Sequence, residues 1–310
     1  MTQSVFIDGG AGTTGLEIAD RLAARAEFAL VVLEEELRKD ADARREALND
    51  SDFAILCLPD QAARDAVAMI DEGSKVRVID ASSAHRTAKG WIYGFPELVG
   101  KQVVAGADRV SNPGCYPTGF LALIAPLLRK RMLPREWAYS VNAVSGYSGG
   151  GKSLIGRFAE DQDIAFMGYG LALGHKHIPE MQVQSGLAHP PVFSPAVIPA
   201  HRGMVVEIPL ALGAMRAAAS AQEMRDTLAD YYADSPFVNV ASDMPDPAEL
   251  LIRKSDQPRD TMSLHVFVDE AGEQARLVAM LDNLGKGASG AAVQSLNLMS
   301  GCEETSGLRI

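Results

Sequence analysis

The sequence predicts an α/β protein with a doubly wound parallel sheet, joined to an α+β domain on a largely antiparallel or mixed sheet. Three observations carry this expectation. Through the first third of the chain, short apolar runs alternate with helically spaced segments. From Cys115 onward the apolar runs are more widely spaced and lose that strand–helix rhythm. The chain has 310 residues, above the size at which one core usually splits into two.

The elements follow in order. Ser4 to Asp8 is an apolar run ending in glycines, and Thr14 to Ala26 places Leu16, Ala19, Leu22 and Ala23 on one helical face. Ala29 to Leu33 reads as a second buried strand, and Asp52 to Leu58 as a third, stopped by Pro59. Gln61 to Glu72 is helical, Lys75 to Asp80 a fourth strand and Gln102 to Ala105 a fifth. Short buried strands joined by helices imply parallel βαβ units with right-handed crossovers, a Rossmann-like sheet. Beyond Cys115, Pro117 to Arg131 and Ala218 to Ala233 read as helices. Ala138 to Ser145, Val205 to Leu212, Met262 to Asp269 and Arg276 to Leu281 read as strands. The expected domains are 1–114 and 115–285, with a C-terminal helical stretch, 286–310, packing back on the first.

Composition narrows the function. The net charge of -11 repels phosphate backbones, which argues against nucleic acid and anionic membranes and for a small-molecule substrate. There is no basic region followed by a long apolar run and no apolar stretch of about 18 residues, so the expected location is cytoplasmic. The three cysteines, Cys57, Cys115 and Cys302, are too few and too far apart for a disulfide framework or a zinc site, and no metal is expected.

Gly10-Ala11-Gly12-Thr13-Thr14-Gly15 is a G-x-G-x-x-G run directly after the first strand, and Gly9, Gly12 and Gly15 also fit G-x-x-G-x-x-G. Glycine there permits a tight turn and lets backbone approach a pyrophosphate at a helix start, so Gly9, Gly12, Thr13, Thr14 and Gly15 are candidate dinucleotide contacts. The second strand ends at Glu34, Glu35 and Glu36, which favour a ribose hydroxyl, but Arg38 and Lys39 follow and suit a 2'-phosphate. This reading leaves NAD and NADP both open.

Ser111-Asn112-Pro113-Gly114-Cys115-Tyr116-Pro117-Thr118-Gly119 is the most informative run. Pro113 and Gly114 mark a turn and Pro117 suits a first helical turn. Cys115 is thereby placed where a helix N-terminus favours a thiolate and free N–H groups can hold an oxyanion. Cys57 lies inside an apolar strand and reads as inert, and Cys302 has no motif around it. A thiolate nucleophile needs a proton partner, and Gly174-His175-Lys176-His177-Ile178-Pro179-Glu180 offers His177 and His175 in a loop before a helix. Gly146 to Ser153 satisfies the phosphate-loop pattern G-x-x-x-x-G-K-S. That leaves an ATP-dependent enzyme as an alternative, although no later strand offers a clear magnesium carboxylate.

These runs together resemble the N-acetyl-γ-glutamyl-phosphate reductase family in its shorter form. The likeness lies in Ser111 to Gly119, Val144 to Gly151, His175 to Glu180, Asp80 to Arg86, the N-terminal glycine loop and Asp282 to Gly290, all in the family's order along nearly the whole chain. The resemblance implies NADP(H) as cofactor and N-acetylglutamyl 5-phosphate as substrate, with the semialdehyde and phosphate as products. It implies a fold shared with aspartate-semialdehyde and glyceraldehyde-phosphate dehydrogenases, and a homodimer or homotetramer. It implies catalysis by Cys115 with His177 or His175, and substrate contacts at Asn112, Arg202 and Arg86. Pro59, Ser82, Ser145, Gly146 and Asn283 join the glycine loop as cofactor contacts. Aspartyl or aminoadipyl phosphate remain alternative substrates, and a redox-sensing dinucleotide-binding module without turnover is a third reading.

Overall fold

The computed structural model describes residues 2–215, 218–242 and 249–310. The chain divides into two compact units, Met1–Gly114 with Ala288–Arg309, and Cys115–Gly287 with Ile310.

The first unit holds β1 (Gln3–Asp8), α1 (Thr13–Leu22), β2 (Phe28–Val31), α2 (Ala41–Asp50), β3 (Phe53–Leu56), α3 (Asp60–Ala68), β4 (Arg77–Asp80), β5 (Ile92–Tyr93), α4 (Pro96–Val99), α5 (Lys101–Ala105) and β6 (Arg109–Ser111). Its six strands run in the order β2-β1-β3-β4-β6-β5, all parallel. Successive strand side chains point to opposite faces, and both faces here are apolar. Val5, Ile55, Ile79 and Val110 enter one core with Ile18 and Leu22, while Phe6, Ala54, Leu56 and Val78 enter another with Leu48, Ala63 and Ala66. That two-sided burial is why the strands read as continuous apolar runs.

The second unit holds α6 (Cys115–Arg129), β7 (Ser140–Gly146), α7 (Gly151–Glu160), β8 (Met167–Gly168), α8 (Ile178–Ser185), β9 (Val192–Ile198), β10 (Met204–Leu210), α9 (Ala221–Tyr231), β11 (Val238–Val240), β12 (Met262–Val268) and β13 (Ala275–Leu281). The chain then returns to the first unit as α10 (Gly290–Ser300). Ala292, Val293, Leu296 and Met299 of α10 complete the core that holds Val5 and Ile18. The second sheet is mixed, ordered β11-β12-β13-β10-β7-β9-β8, with β7–β9 and β11–β12 parallel and the other pairs antiparallel. Helix α6 is buried from Tyr116 through Leu128. Gly119 lets it lie close on β10, since a Cβ there would come within 2.9 Å of the Val206 side chain.

One expected strand is not a strand. Gln102 to Ala105 belongs to α5, and β6, a few residues later, pairs with β4 instead. A four-residue run with three apolar residues cannot separate the two outcomes by period alone. Val104 is buried and Val103 exposed in either case. Among the described residues, no helix is long and apolar enough to cross a membrane.

Candidate active site

In the first unit, β1 runs into a turn that only glycine can make. Gly9 has φ 83°, and the Gly12 N–H donates to its carbonyl at 3.0 Å. A Cβ on Gly9 would lie 2.3 Å from the Cys57 carbonyl oxygen, and one on Gly15 would lie 2.8 Å from Gly10 Cα. Helix α1 opens at Thr13 with no side-chain cap and no acid in its first turn. Its leading N–H groups therefore suit a pyrophosphate, and the residues present fit a dinucleotide. Beneath the turn, the Asp8 carboxylate is held by Arg44 at 2.7 Å, a pairing across thirty-six residues that no sequence motif announced. Glu34, Glu35 and Glu36 sit at and in a short turn after β2, and Arg38 Nε donates to the Leu33 carbonyl.

The other strand ends are tied to one another. Pro59 precedes α3. Asp80 accepts from the Ser82 N–H and hydroxyl, both at 2.8 Å, and its other neighbour is His85 Nδ1 at 2.6 Å. His85 stacks on Trp91 with ring centroids 4.1 Å apart. Arg86 is buried and donates to the carbonyls of Asn112 (3.0 Å) and Ala81 (3.3 Å). In this geometry Arg86 braces the ends of β4 and β6.

In the second unit, Cys115 is the first residue of α6 and is partly buried. Gly287, in the π-turn Gly285–Ser289, lies so near that a Cβ there would come within 3.0 Å of Cys115 Cβ. Around the start of α6 stands an aromatic cluster. The Tyr116 ring lies 6.3 Å from His175 and 5.9 Å from His177, and the two imidazoles are 4.7 Å apart. The Tyr169 hydroxyl donates to Tyr116 Oη at 3.4 Å, and the Tyr116 hydroxyl donates to the Ala196 carbonyl at 3.1 Å. Burial raises both phenol pKa values, Tyr169 to about 12. His177 is buried, and its N–H donates to His175 Nδ1 at 3.2 Å. Burial and the Lys176 charge push His175 down to about 4, so its ring is neutral at pH 7.

That shift has a consequence for stability. An unfolded histidine takes its proton near 6.5 while folded His175 waits until about 4, so the unfolded chain binds more protons between those values. Stability therefore falls as pH drops through that window. Thermal melts from pH 7 to 4 should show a declining midpoint, and a shallower decline in His175→Asn.

Ser145, Gly146, Arg202 and Asn283 come together where β7, the loop after β9 and the end of β13 meet. Gly146 N–H donates to Gly203 O at 2.8 Å. Ser145 Oγ donates to Gly146 O at 3.0 Å. Asn283 Oδ1 accepts from Gly203 N–H at 3.0 Å and its Nδ2 donates to Ser148 Oγ at 2.9 Å. Arg202 Nη1 is paired with Asp282 at 2.8 Å. Tyr169, Asp282 and Gly287 were not singled out individually by sequence reasoning. Tyr169 carries no local motif, and the other two sit inside a recognised block without a marked role.

Gly146 to Ser153 does follow a strand and open α7, as a phosphate loop should. Its interior is filled by the chain itself. Tyr147 stacks on Phe158, buried Ser148 is bound to Asn283, and the Gly150 backbone rests on Leu154.

Comparison with known proteins sets this geometry in a family. A model described as semialdehyde dehydrogenase, NAD binding domain, matches residues 4–105, and one described as semialdehyde dehydrogenase, dimerisation domain, matches residues 115–283. An N-acetyl-gamma-glutamyl-phosphate reductase of Trichormus variabilis is 50% identical, with 98% of each chain covered. One of Rhizobium meliloti is 46% identical, with 96% of this chain and 99% of that one covered. The chain belongs to the N-acetyl-gamma-glutamyl-phosphate reductase family. Its fold is shared with more distant semialdehyde dehydrogenases. Aspartate semialdehyde dehydrogenase from Francisella tularensis gives a TM-score of 0.71 at 13% identity, over 96% of this chain and 100% of that one. The Candida albicans enzyme, solved with NADP, gives 0.66 at 14%, over 96% and 98%. As a member of this reductase family the chain is an oxidoreductase with a nicotinamide-nucleotide domain. Membership also leaves the phosphate-loop likeness without a role of its own.

Proposed function

We propose that the chain reduces N-acetylglutamyl 5-phosphate with NADPH to N-acetylglutamate 5-semialdehyde, releasing phosphate, as a step of arginine biosynthesis. The observation that carries this reading is near-full-length identity of 46–50% to reductases of that name, in a chain that sets Cys115 at a helix start, next in sequence to Tyr116, whose ring lies near two histidines.

Cys115 Sγ attacks the acyl carbon, the bond to the phosphate oxygen breaks, and phosphate leaves with that electron pair. The acyl group is then a thioester on Cys115, and one hard step has become two easier ones. When bound, the reduced nicotinamide supplies the hydride that brings the acyl carbon to the aldehyde level. The C–S bond then breaks, Sγ keeps the pair, and the aldehyde leaves. N–H groups at the start of α6 stabilise the oxyanion. His177 moves the proton between sulfur and substrate oxygen, worth roughly 100- to 10,000-fold in rate. His175, kept neutral, is the less suited to carry the positive charge and positions His177 through its backbone N–H. Arg202, braced by Asp282, binds the substrate carboxylate, and Arg86 holds Asn112 in place.

Gly9, Gly12, Thr13, Thr14 and Gly15 hold the pyrophosphate. Pro59, Ser82, Ser145, Gly146 and Asn283 are assigned to the same cofactor on the family likeness. NADP over NAD is assigned on the family likeness, with Arg38 and Lys39 as the cations to meet its 2'-phosphate. The match of residues 115–283 to a dimerisation domain supports a homodimer or homotetramer, and a cytoplasmic location fits a biosynthetic enzyme.

The test runs the reaction backwards, from N-acetylglutamate semialdehyde, phosphate and NADP+, following formation of the reduced nicotinamide. Phosphate-dependent reduction is expected, faster than with aspartate semialdehyde or NAD+, and Lys152→Ala should retain it. A folded protein that binds nicotinamide yet turns over no aldehyde sinks the reading.

A further inference from the structure

We infer that Asn112 is the hydrogen-bond acceptor that orients the nicotinamide carboxamide, an inference that rests on the proposed cofactor. Asn112 follows β6 directly, at the carboxyl edge of the parallel sheet, beside the end of β4, since Ser111 pairs with Asp80. Ligands of open α/β sheets bind outside the carboxyl ends, on both sides of the point where strand order reverses. Here that point lies between β1 and β3. The pyrophosphate turn follows β1, so β4 and β6 serve the half of the dinucleotide away from β2.

Asn112 is 2% exposed and held by three bonds. Its N–H donates to the Asp80 carbonyl at 2.7 Å. Its carbonyl accepts from Arg86 Nε at 3.0 Å, and its Nδ2 donates to the Ala288 carbonyl at 3.0 Å. A carbonyl partner fixes which end of the amide is nitrogen. The opposite atom, Oδ1, is buried and accepts from no described group. A buried carbonyl left unmatched is costly and uncommon, so a donor belongs there. Because Oδ1 can only accept, the ligand must present N–H or O–H. The carboxamide NH2 is such a donor on the nicotinamide end of the cofactor. Asn283, the asparagine that family likeness assigns to the cofactor, already has its Oδ1 on Gly203 and its Nδ2 on Ser148. Both ends of the Asn283 amide are thus taken, whereas the Asn112 Oδ1 still lacks a donor.

The experiment measures binding, not turnover, by calorimetry with three nucleotides. These are NADP+, its 3-acetylpyridine analogue, in which a methyl replaces the carboxamide NH2, and 2'-phospho-ADP-ribose, which has no nicotinamide. The wild type should bind NADP+ about tenfold more tightly than the analogue, the scale of one ordinary hydrogen bond. Asn112→Ala should lose that discrimination while keeping wild-type affinity for 2'-phospho-ADP-ribose. The wild-type comparison needs no substitution, so it tests the inference even where Asn112→Ala does not fold. No discrimination by the wild type overturns the inference. So does an equal loss of all three ligands in Asn112→Ala, or a raised KM for the semialdehyde with nucleotide binding untouched. A wild type that binds none of the three nucleotides would instead remove the cofactor reading beneath it.

Discussion

Replacing Cys115 by alanine should cut turnover by at least about 10^4-fold, the scale of losing a covalent nucleophile, while nucleotide binding survives. The substitution removes only Sγ. The Cβ that Gly287 approaches stays in place, α6 keeps its start, and the thirteen residues from Tyr116 through Leu128 that bury this helix are untouched. A loss of activity with an unchanged melting temperature would thus report chemistry and not folding. The intermediate offers a second readout. Acid quench of a reaction starved of reduced nicotinamide should leave one acyl group on the protein, and peptide mass spectrometry should place it at Cys115. Cys57 is the internal control, because burial and the carboxylates of Asp80 and Asp8 push its thiol up to about 12. It stays protonated at neutral pH and should carry no acyl group and react slowly with iodoacetamide. Turnover by Cys115→Ala within tenfold of wild type would rule out the thioester route.

The regions of this molecule that were legible in the sequence share a cause. Where one residue type is dictated by backbone geometry or by burial on both faces, the sequence announces it. β1, the glycine turn and α1 were readable because Gly9 and Gly15 answer to close backbone approach, and β3 because Phe53 to Leu56 are buried on every side. The place of Cys115 at a helix start was readable because a turn and a proline bracket it. α5 was misread because the three apolar residues Val103, Val104 and Ala105 fit either period. What stayed hidden depends on distance across the fold. Arg86 meets the Asn112 and Ala81 carbonyls, contacts that no local motif announces. Tyr169 reaches Tyr116 across fifty-three residues, and Arg44 meets Asp8 from the next helix but one. Periodicity says nothing about such meetings, since they are decided by how elements pack and not by local spacing.

The glycine turn allows the folding and binding roles of single residues to be separated. At Gly9, φ is 83°, a conformation that costs an L-residue roughly 1 to 2 kcal/mol. An alanine Cβ would also stand 2.3 Å from the Cys57 oxygen and 2.8 Å from its carbonyl carbon. Those are backbone atoms just past β3, tied to β1 by the Cys57 N–H on the Asp8 carbonyl at 2.7 Å, and they cannot swing aside as a flexible side chain would. Gly9→Ala must force the central strands β1 and β3 away from each other, and about 3 kcal/mol or more of destabilisation is expected. For a unit of this size that is a fall of roughly 6 to 20 °C in melting temperature. Gly12 is the contrasting case. Its φ is -76°, which any residue adopts, and a Cβ there would meet only the Gly9 oxygen, at 3.4 Å. Gly12→Ala should melt within about 2 °C of wild type, as an unstrained surface change does, yet lose NADP+ affinity by an order of magnitude or more, because the methyl intrudes where the pyrophosphate is proposed to approach the backbone. A Gly12→Ala protein with unchanged melting and unchanged affinity would mean that this turn shapes the sheet but does not hold the cofactor.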